Sequence, residues 1–187
     1  MLKEQFVNIN LKDENYNIAK LSRLIYNDTC LPDFLAFVQE YLPGSELSKI
    51  KKRYTKFGEA FIMAIADSRV IGAAFGWPRS LDAQNDTSFT LDGIAVDVQY
   101  QKRGLGGRLL SEFEKTVSDY GFTKVSVGSA GGYAEHFYIK NGYMPVCYKY
   151  YGKDCIKTEK IFKDQREYEG YERKNPMGFI VFEKKLP

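Results

Sequence analysis

The chain has 187 residues, of which 44% are hydrophobic, 15% aromatic and 27% charged. This is the size and composition of a globular domain, not of a disordered or fibrous chain. The longest run without a charge, Val125 to Ala134, is far short of the ~20 apolar residues that a membrane helix needs. The net charge of +3, from 27 basic and 24 acidic residues, is weak support for a polyanionic partner. Neither nucleic acid nor a membrane is therefore expected as a partner.

Met1–Gln5 offers no apolar signal core. Cys30, Cys147 and Cys155 fit neither a disulfide framework nor a zinc site, and the single histidine, His136, argues against a histidine-dependent metal centre. No metal is expected, and the expected location is the reducing cytoplasm.

In chain order, Phe6 to Leu11 alternates as a strand does. Asp13 or Asn15 could cap a helix carrying Ile18, Leu21, Leu24 and Ile25. Pro32 suits the first turn of a second helix, which Pro43-Gly44 stops. Lys49, Lys51, Lys52, Arg53 and Lys56 are interleaved with Leu47, Ile50, Tyr54 and Phe57 at helical spacing. They read as the solvated side of a helix, with an acidic-substrate or nucleic-acid surface as the alternative.

Ala60–Ala66 and Val70–Trp77 form a hairpin across Asp67-Ser68-Arg69. Residues 79–87 are loop-like, and Ser88 to Val96 is the next strand. Leu105 to Tyr120 is a helix with a stripe of Leu105, Leu109, Phe113, Val117 and Tyr120, ended by Gly121. Lys124 to Ser129 is a strand, Ala134 to Asn141 a short helix, and Val146–Tyr151 and Phe179–Lys184 are strands. A charged connection of about 27 residues joins the last two, long enough to carry structure of its own. With no repeat and no linker, residues 1–187 are expected to form one domain. Its N-terminal strand and helices would span 1–58, a central core 59–146, and the C-terminal strands with their long connection 147–187.

The chemically informative stretch runs from Leu91 to Leu110. A strand ends at Val96, a polar turn follows, and an amphipathic helix opens at Gly104-Leu105-Gly106-Gly107. Glycines there bare the unpaired amides of the first turn, and the helix dipole adds about half a positive charge. With Lys102, Arg103 and Arg108 alongside, this is a ready phosphate or pyrophosphate site. The Gly-Lys-Ser/Thr of a P-loop is missing, and Leu109 breaks a GxGxxG pattern.

Gln101, Gly104 and Gly106 form a Gln-x-x-Gly-x-Gly pattern, which resembles the coenzyme A-binding motif of the GNAT acyltransferase superfamily. Downstream, Ala134-Glu135-His136-Phe137-Tyr138-Ile139-Lys140-Asn141-Gly142-Tyr143 is similar to that family's Ala-x-x-Phe-Tyr-x-x-x-Gly-Phe/Tyr segment, in the family's order. The likeness covers about residues 59–150. It implies an α/β (α+β) fold with a mixed, mostly antiparallel sheet of about seven strands, splayed between the fourth and fifth, with helices on both faces. Gly93 beside Ile94 is a candidate for the bulge that splays them.

The resemblance further implies acetyl-CoA as co-substrate. Ile94, Ala95 and Val96 would hold the pantetheine arm, and Gln101, Lys102, Arg103, Gly104, Leu105, Gly106, Gly107 and Arg108 the pyrophosphate. Tyr138 matches the family's general acid, which protonates the departing thiolate; packing is the competing role. Asp92 is the candidate base for the acceptor amine, with a solvated residue or a water chain as the alternatives. Many relatives carry Asn where this chain has Gly131. His136 reads as a surface or packing residue, and the cysteines as packing residues.

The function implied is acetyl-CoA-dependent N-acetylation of a small-molecule or peptide amine by direct attack in a ternary complex. The alternatives are a coenzyme A-binding sensor or interaction protein without turnover, and a transferase of another acyl group. A homodimer is compatible with either. The acceptor side would be built from Tyr26–Leu42 and Tyr151–Met177, both rich in aromatics.

Overall fold

The computed structural model describes residues 7–9, 19–23, 29–79 and 87–187. In chain order the elements are β1 (Val7–Ile9), β2 (Ala19–Arg23), α1 (Leu31–Tyr41), α2 (Leu47–Phe57), β3 (Phe61–Ala66), β4 (Arg69–Pro78) and β5 (Ser88–Val96). They continue with α3 (Leu105–Asp119), β6 (Lys124–Ser129), α4 (Tyr133–Lys140), β7 (Met144–Tyr151), β8 (Ile156–Ile161), α5 (Gln165–Glu169) and β9 (Gly178–Lys185).

The strands make one mixed sheet in the order β1-β2-β3-β4-β5-β6-β9-β7-β8. Among the described strands only β5 and β6 run parallel. The β3–β4 turn is tight because Asp67 and Ser68 both adopt positive φ, 49° and 61°, the geometry whose twist matches that of a hairpin.

Each face of the sheet has its own apolar core. On one side the α3 stripe of Leu105, Leu109, Phe113 and Val117 packs on Ile71, Ala74, Phe89 and Leu91, joined by Tyr138, Tyr143 and Phe182. On the other, Phe34, Phe37 and Val38 of α1 and Ile50 and Tyr54 of α2 pack on Phe61, Met63, Phe75 and Trp77. Tyr120, expected on the α3 stripe, lies just past the helix end and is 39% exposed. Gly121 then takes φ 85°, as a helix-ending glycine does.

The expected splay is present. β5 pairs with β6 over Ser88–Thr90 alone. Beyond that point β5 stays with β4 as far as Val96, while β6 stays with β9 as far as Ser129. The strands therefore part as a wedge, with the Thr90 and Ser126 hydroxyls 3.5 Å apart at its apex.

A bulge sits where the wedge opens. Phe75 faces Gly93 and Gly76 faces Leu91, so Asp92 is the extra residue. Two glycines make this possible. A Cβ on Gly76 would overlap the Thr90 carbonyl oxygen, and one on Gly93 would lie 2.6 Å from the Phe75 ring.

One N-terminal expectation needs correction, and the long C-terminal connection carries the structure expected of it. The helix expected to carry Ile18 to Ile25 gives way to a strand at Ala19–Arg23, with Leu21 buried. Ala19-Lys20-Leu21-Ser22-Arg23 also alternates. The edge of β3 at Ile62–Ile65 needs a partner for its main-chain groups, and β2 supplies it. Asp13, Asn15, Ile18, Leu24 and Ile25 lie outside the described residues. The long connection after β7 holds β8 and α5, which brings the strand count to nine.

Candidate active site

The β5–α3 junction is shaped by main-chain geometry. Asp97, 5% exposed, accepts a hydrogen bond from the Gln99 amide at 2.9 Å and so caps a short 3-10 turn over Val98–Tyr100. Gln101 Nε2 donates to the Val96 carbonyl at 2.9 Å, tying the turn back to the strand end. Lys102 at φ 61° and Gly104 at φ 85° then bend the chain into α3.

The Asp97 amide donates to Ile71 of β4 at 2.9 Å. Because main-chain groups alternate along a strand, those of Ile94 and Val96 face the wedge. Those of Ala95 face back to Ala73, its β4 partner.

At the head of α3 the first intrahelical bond is Arg108 N–H to Gly104 at 3.2 Å. The amides from Gly104 to Gly107 precede it and have no acceptor within the helix. A Cβ on Gly106 would reach the Phe137 ring at 3.4 Å, and one on Gly107 the Asn141 Oδ1 at 3.5 Å. The bare backbone therefore leaves this turn open to a ligand. Lys102 and Arg108 are exposed beside it, Arg103 lies over the Tyr100 ring at 5.8 Å, and the Leu105 side chain is anchored in the core.

Tyr138 is on α4, 6% exposed, with its ring among Phe137, Tyr143 and Phe182. Burial pushes its phenol up to about 12, so it stays protonated across the neutral range. Asp92, on the bulge, is open to solvent, yet the surrounding protein desolvates its carboxyl enough to raise its pKa, and Lys49 and Arg53 of α2 pull it down. His136 is exposed. The Cys147 thiol is pushed up by burial, which disfavours the reactive thiolate. Among the described residues no group of three or more His, Cys, Asp and Glu could hold a metal ion, and no helix is long and apolar enough to cross a membrane.

The sequence reading missed one cluster and, in a second whose basic residues it named, the ring beneath them. The first is at Gly131, whose φ is 130°. A Cβ there would sit 3.1 Å from Arg173 Nη1, and that nitrogen donates to the Ala130 carbonyl at 2.9 Å. The other end of the guanidinium bonds the buried Glu135 carboxylate, which also accepts from Tyr168 Oη at 2.7 Å. Arg173 thus fills the space that glycine leaves and fastens the β8–β9 connection to the start of α4. Gly131-Gly132 was the one sequence signal of this space; nothing marked Arg173 as its occupant.

The second cluster is on the α1–α2 face. Lys49 Nζ lies 5.0 Å and the Arg53 guanidinium 5.8 Å from the centre of the Trp77 ring.

A family model described as an acetyltransferase (GNAT) domain matches residues 57–145. No curated protein sequence matches the chain. Among solved structures, Ard1 from Thermoplasma volcanium is similar, with a TM-score of 0.64 at 15% identity, over 90% of this chain and 98% of that one. Naa50 of Arabidopsis thaliana, solved with the bisubstrate analogue CoA-Ac-MVNAL, scores 0.62 at 16% identity over 89% and 97%. A GNAT family acetyltransferase from Elizabethkingia anophelis with acetyl-CoA bound scores 0.57 at 16% identity over 90% and 98%. The splayed β5–β6 pair and the glycine-led α3 both fall within residues 57–145, the stretch that matches the acetyltransferase (GNAT) domain model.

Proposed function

We propose that the protein is an acetyl-CoA-dependent N-acetyltransferase that works by direct attack of an amine within a ternary complex. The observation that carries this is the wedge. It presents the main-chain groups of Ile94 and the Val96 amide on the strand that leads to the bare amides at the head of α3. That is a long, main-chain surface for an amide-bearing arm that ends in a pyrophosphate. Solved neighbours that hold acetyl-CoA or a coenzyme A bisubstrate analogue support the reading.

The proposed roles follow from the chemistry. Ile94 and Val96 bond the pantetheine amides, with Ala95 holding the strand in register. Gln101 fixes the turn by occupying the Val96 carbonyl. The amides of Arg103, Gly104, Leu105, Gly106 and Gly107 bind the pyrophosphate, and Lys102 and Arg108 add charge. A thioester is already activated, so no metal is required.

The acceptor must attack as a free amine, although an ammonium of pKa about 10.4 is mostly protonated at pH 7. Asp92, directly or through a water, takes that proton; desolvation strengthens it as a base. As the new N–C bond forms and the C–S bond breaks, Tyr138 gives its proton to the leaving sulfur. A positioned acid of this kind contributes roughly 10²- to 10⁴-fold.

The test is steady-state release of coenzyme A thiol from acetyl-CoA with a panel of primary amines, run for wild type and Tyr138→Phe. Wild type is expected to turn over. The variant should keep acetyl-CoA affinity and lose roughly one to three orders of magnitude in kcat. Tight acetyl-CoA binding with no turnover on any amine would replace this reading with a coenzyme A-binding sensor. Preferential use of a longer acyl thioester would change the donor.

A further inference from the structure

The α2 segment Leu47–Phe57 contains five basic residues and no acidic one. Lys49, Lys52, Arg53 and Lys56, with Glu46 and Ser48, line a recess of about 430 Å³. Among the described residues none of these four cations makes an ion pair. Neighbouring like charges repel at that spacing; Glu46 and Asp92 lie near them without forming an ion pair among the described residues.

Two of the cations are directed. Lys49 and Arg53 both lie over Trp77, a 5% exposed residue of β4 that gives them a flat, apolar wall. Trp77 pairs with Thr90, two residues before the bulge at Asp92. The same two cations are close enough to Asp92 to act on its carboxyl. The recess therefore adjoins the residue proposed to deprotonate the acceptor, on the sheet face opposite α3.

We propose that this recess binds an anionic group of the acceptor, a carboxylate or a phosphate, so that preferred substrates are amines carrying a negative charge some bonds away from the nitrogen. This rests on the acetyl-transfer reading above. Lys49 and Arg53 are the specificity-determining residues. Arg53 offers a planar fork that matches either anion, and Lys49 a point charge beside it. The bound anion would supply the counter-charge that α2 lacks. The positive surroundings also disfavour the ammonium form of the acceptor, which assists its deprotonation. A nucleic-acid surface is the weaker reading, because the Glu46 carboxylate lines the recess and the Asp92 carboxylate feels Lys49 and Arg53, which disfavours a continuous polyanion.

The experiment uses matched acceptor pairs with the full chain: β-alanine against β-alaninamide, 6-aminohexanoate against its amide, and O-phosphoethanolamine against ethanolamine. Comparing the carboxylate pairs with the phosphate pair distinguishes the two anions. kcat/KM is expected to favour the anionic member of at least one pair by about tenfold, the ratio that a single charge-assisted contact supplies. Lys49→Gln with Arg53→Gln should bring the ratio close to one. Lys49→Arg should retain it, as should Lys115→Gln, which removes a positive charge on α3 outside the recess.

If no amine is acetylated, the acetyl-transfer reading fails separately. Calorimetric titration of the same pairs into coenzyme A-loaded protein then decides the recess. Anion-selective binding lost in the double variant supports it, and equal or absent binding of both members in every pair overturns it. Anion preference unchanged in the double variant, or tighter binding of a single-stranded oligonucleotide than of any anionic amine, overturns it as well.

Discussion

The β5–α3 junction and the α1–α2 face of the sheet are made of different material. The β5–α3 side offers main chain: the alternating groups of Ile94 and Val96, and the amides bared by Gly104, Gly106 and Gly107. The α1–α2 side offers side chains: Lys49 and Arg53 on Trp77, with the Asp92 carboxyl within their electrostatic reach. Main-chain recognition depends on backbone path and tolerates almost any residue that preserves it. Side-chain recognition can be rewritten one substitution at a time. A fold built this way can keep one donor while its acceptor changes.

The largest expected effect breaks the main-chain half. Gly106→Asp sets a carboxylate among the amides at the head of α3. Like-charge contacts cost several kcal/mol, so acetyl-CoA affinity by calorimetry should fall on the order of a hundredfold or more. The variant should fold, because its Cβ meets Phe137 at an ordinary 3.4 Å. Unchanged affinity would place the phosphates elsewhere.

The next effect is on the fastening between α4 and the β8–β9 connection. Arg173→Leu leaves the buried Glu135 carboxylate with Tyr168 as its remaining partner. Losing one partner of such a pair costs about 3 kcal/mol when fully buried. Arg173 is 29% exposed, so about 1–2 kcal/mol is expected in chemical denaturation, with acetyl-CoA affinity nearly unchanged. A large loss of affinity would show that Arg173 itself reaches the donor.

Asp92→Asn tests the side-chain half. If Asp92 is the base, kcat/KM at pH 7 should drop by about tenfold, the low end of what general bases contribute. It should recover towards pH 9 as free amine accumulates. A parallel drop at every pH would point to a positioning role.

The smallest effect is in the alkaline range. The Tyr138 phenol, at about 12 when folded against about 10 when unfolded, contributes stability that is fully present below pH 10. That contribution is lost as pH rises towards 12, because the unfolded chain ionises first. Tyr138→Phe should therefore flatten the fall in melting temperature between pH 10 and 12. Wild-type turnover should show no phenol-dependent decline below about pH 11. An earlier decline assigned to Tyr138 would contradict its burial.

The central strands and helices were legible because their residues carry two strong periods. Ser88–Val96 and Lys124–Ser129 are strands with the predicted bounds, and α3 starts at Leu105 as its stripe requires. The glycine-led helix start was equally plain, since it is written in the backbone-permissive residues themselves. The bulge was located only to within two residues. Gly93 marked it, but the extra residue is Asp92, and the close approach that permits it is at Gly76, on the facing strand. β2 was misread because an alternating five-residue segment competes poorly with a longer helical spacing until the edge of β3 is present to pair it. Arg173–Glu135 and Lys49–Trp77 join residues 38 and 28 positions apart, contacts that no local pattern encodes.

The order of the sheet has a consequence for how copies of this chain meet one another. Unpaired strand edges ordinarily recruit strands from other molecules. β5 and β6 leave such edges, but both lie inside the sheet, flanked by β4 and β9. A strand entering there could not extend the sheet outward. At the outer end, β8 carries Lys157, Glu159 and Lys160 on a mostly exposed strand, so an identical edge brought alongside would have to accommodate those charges. The main-chain donors that a small ligand can reach are thus withheld from polymerisation, and the chain can keep them open at high concentration.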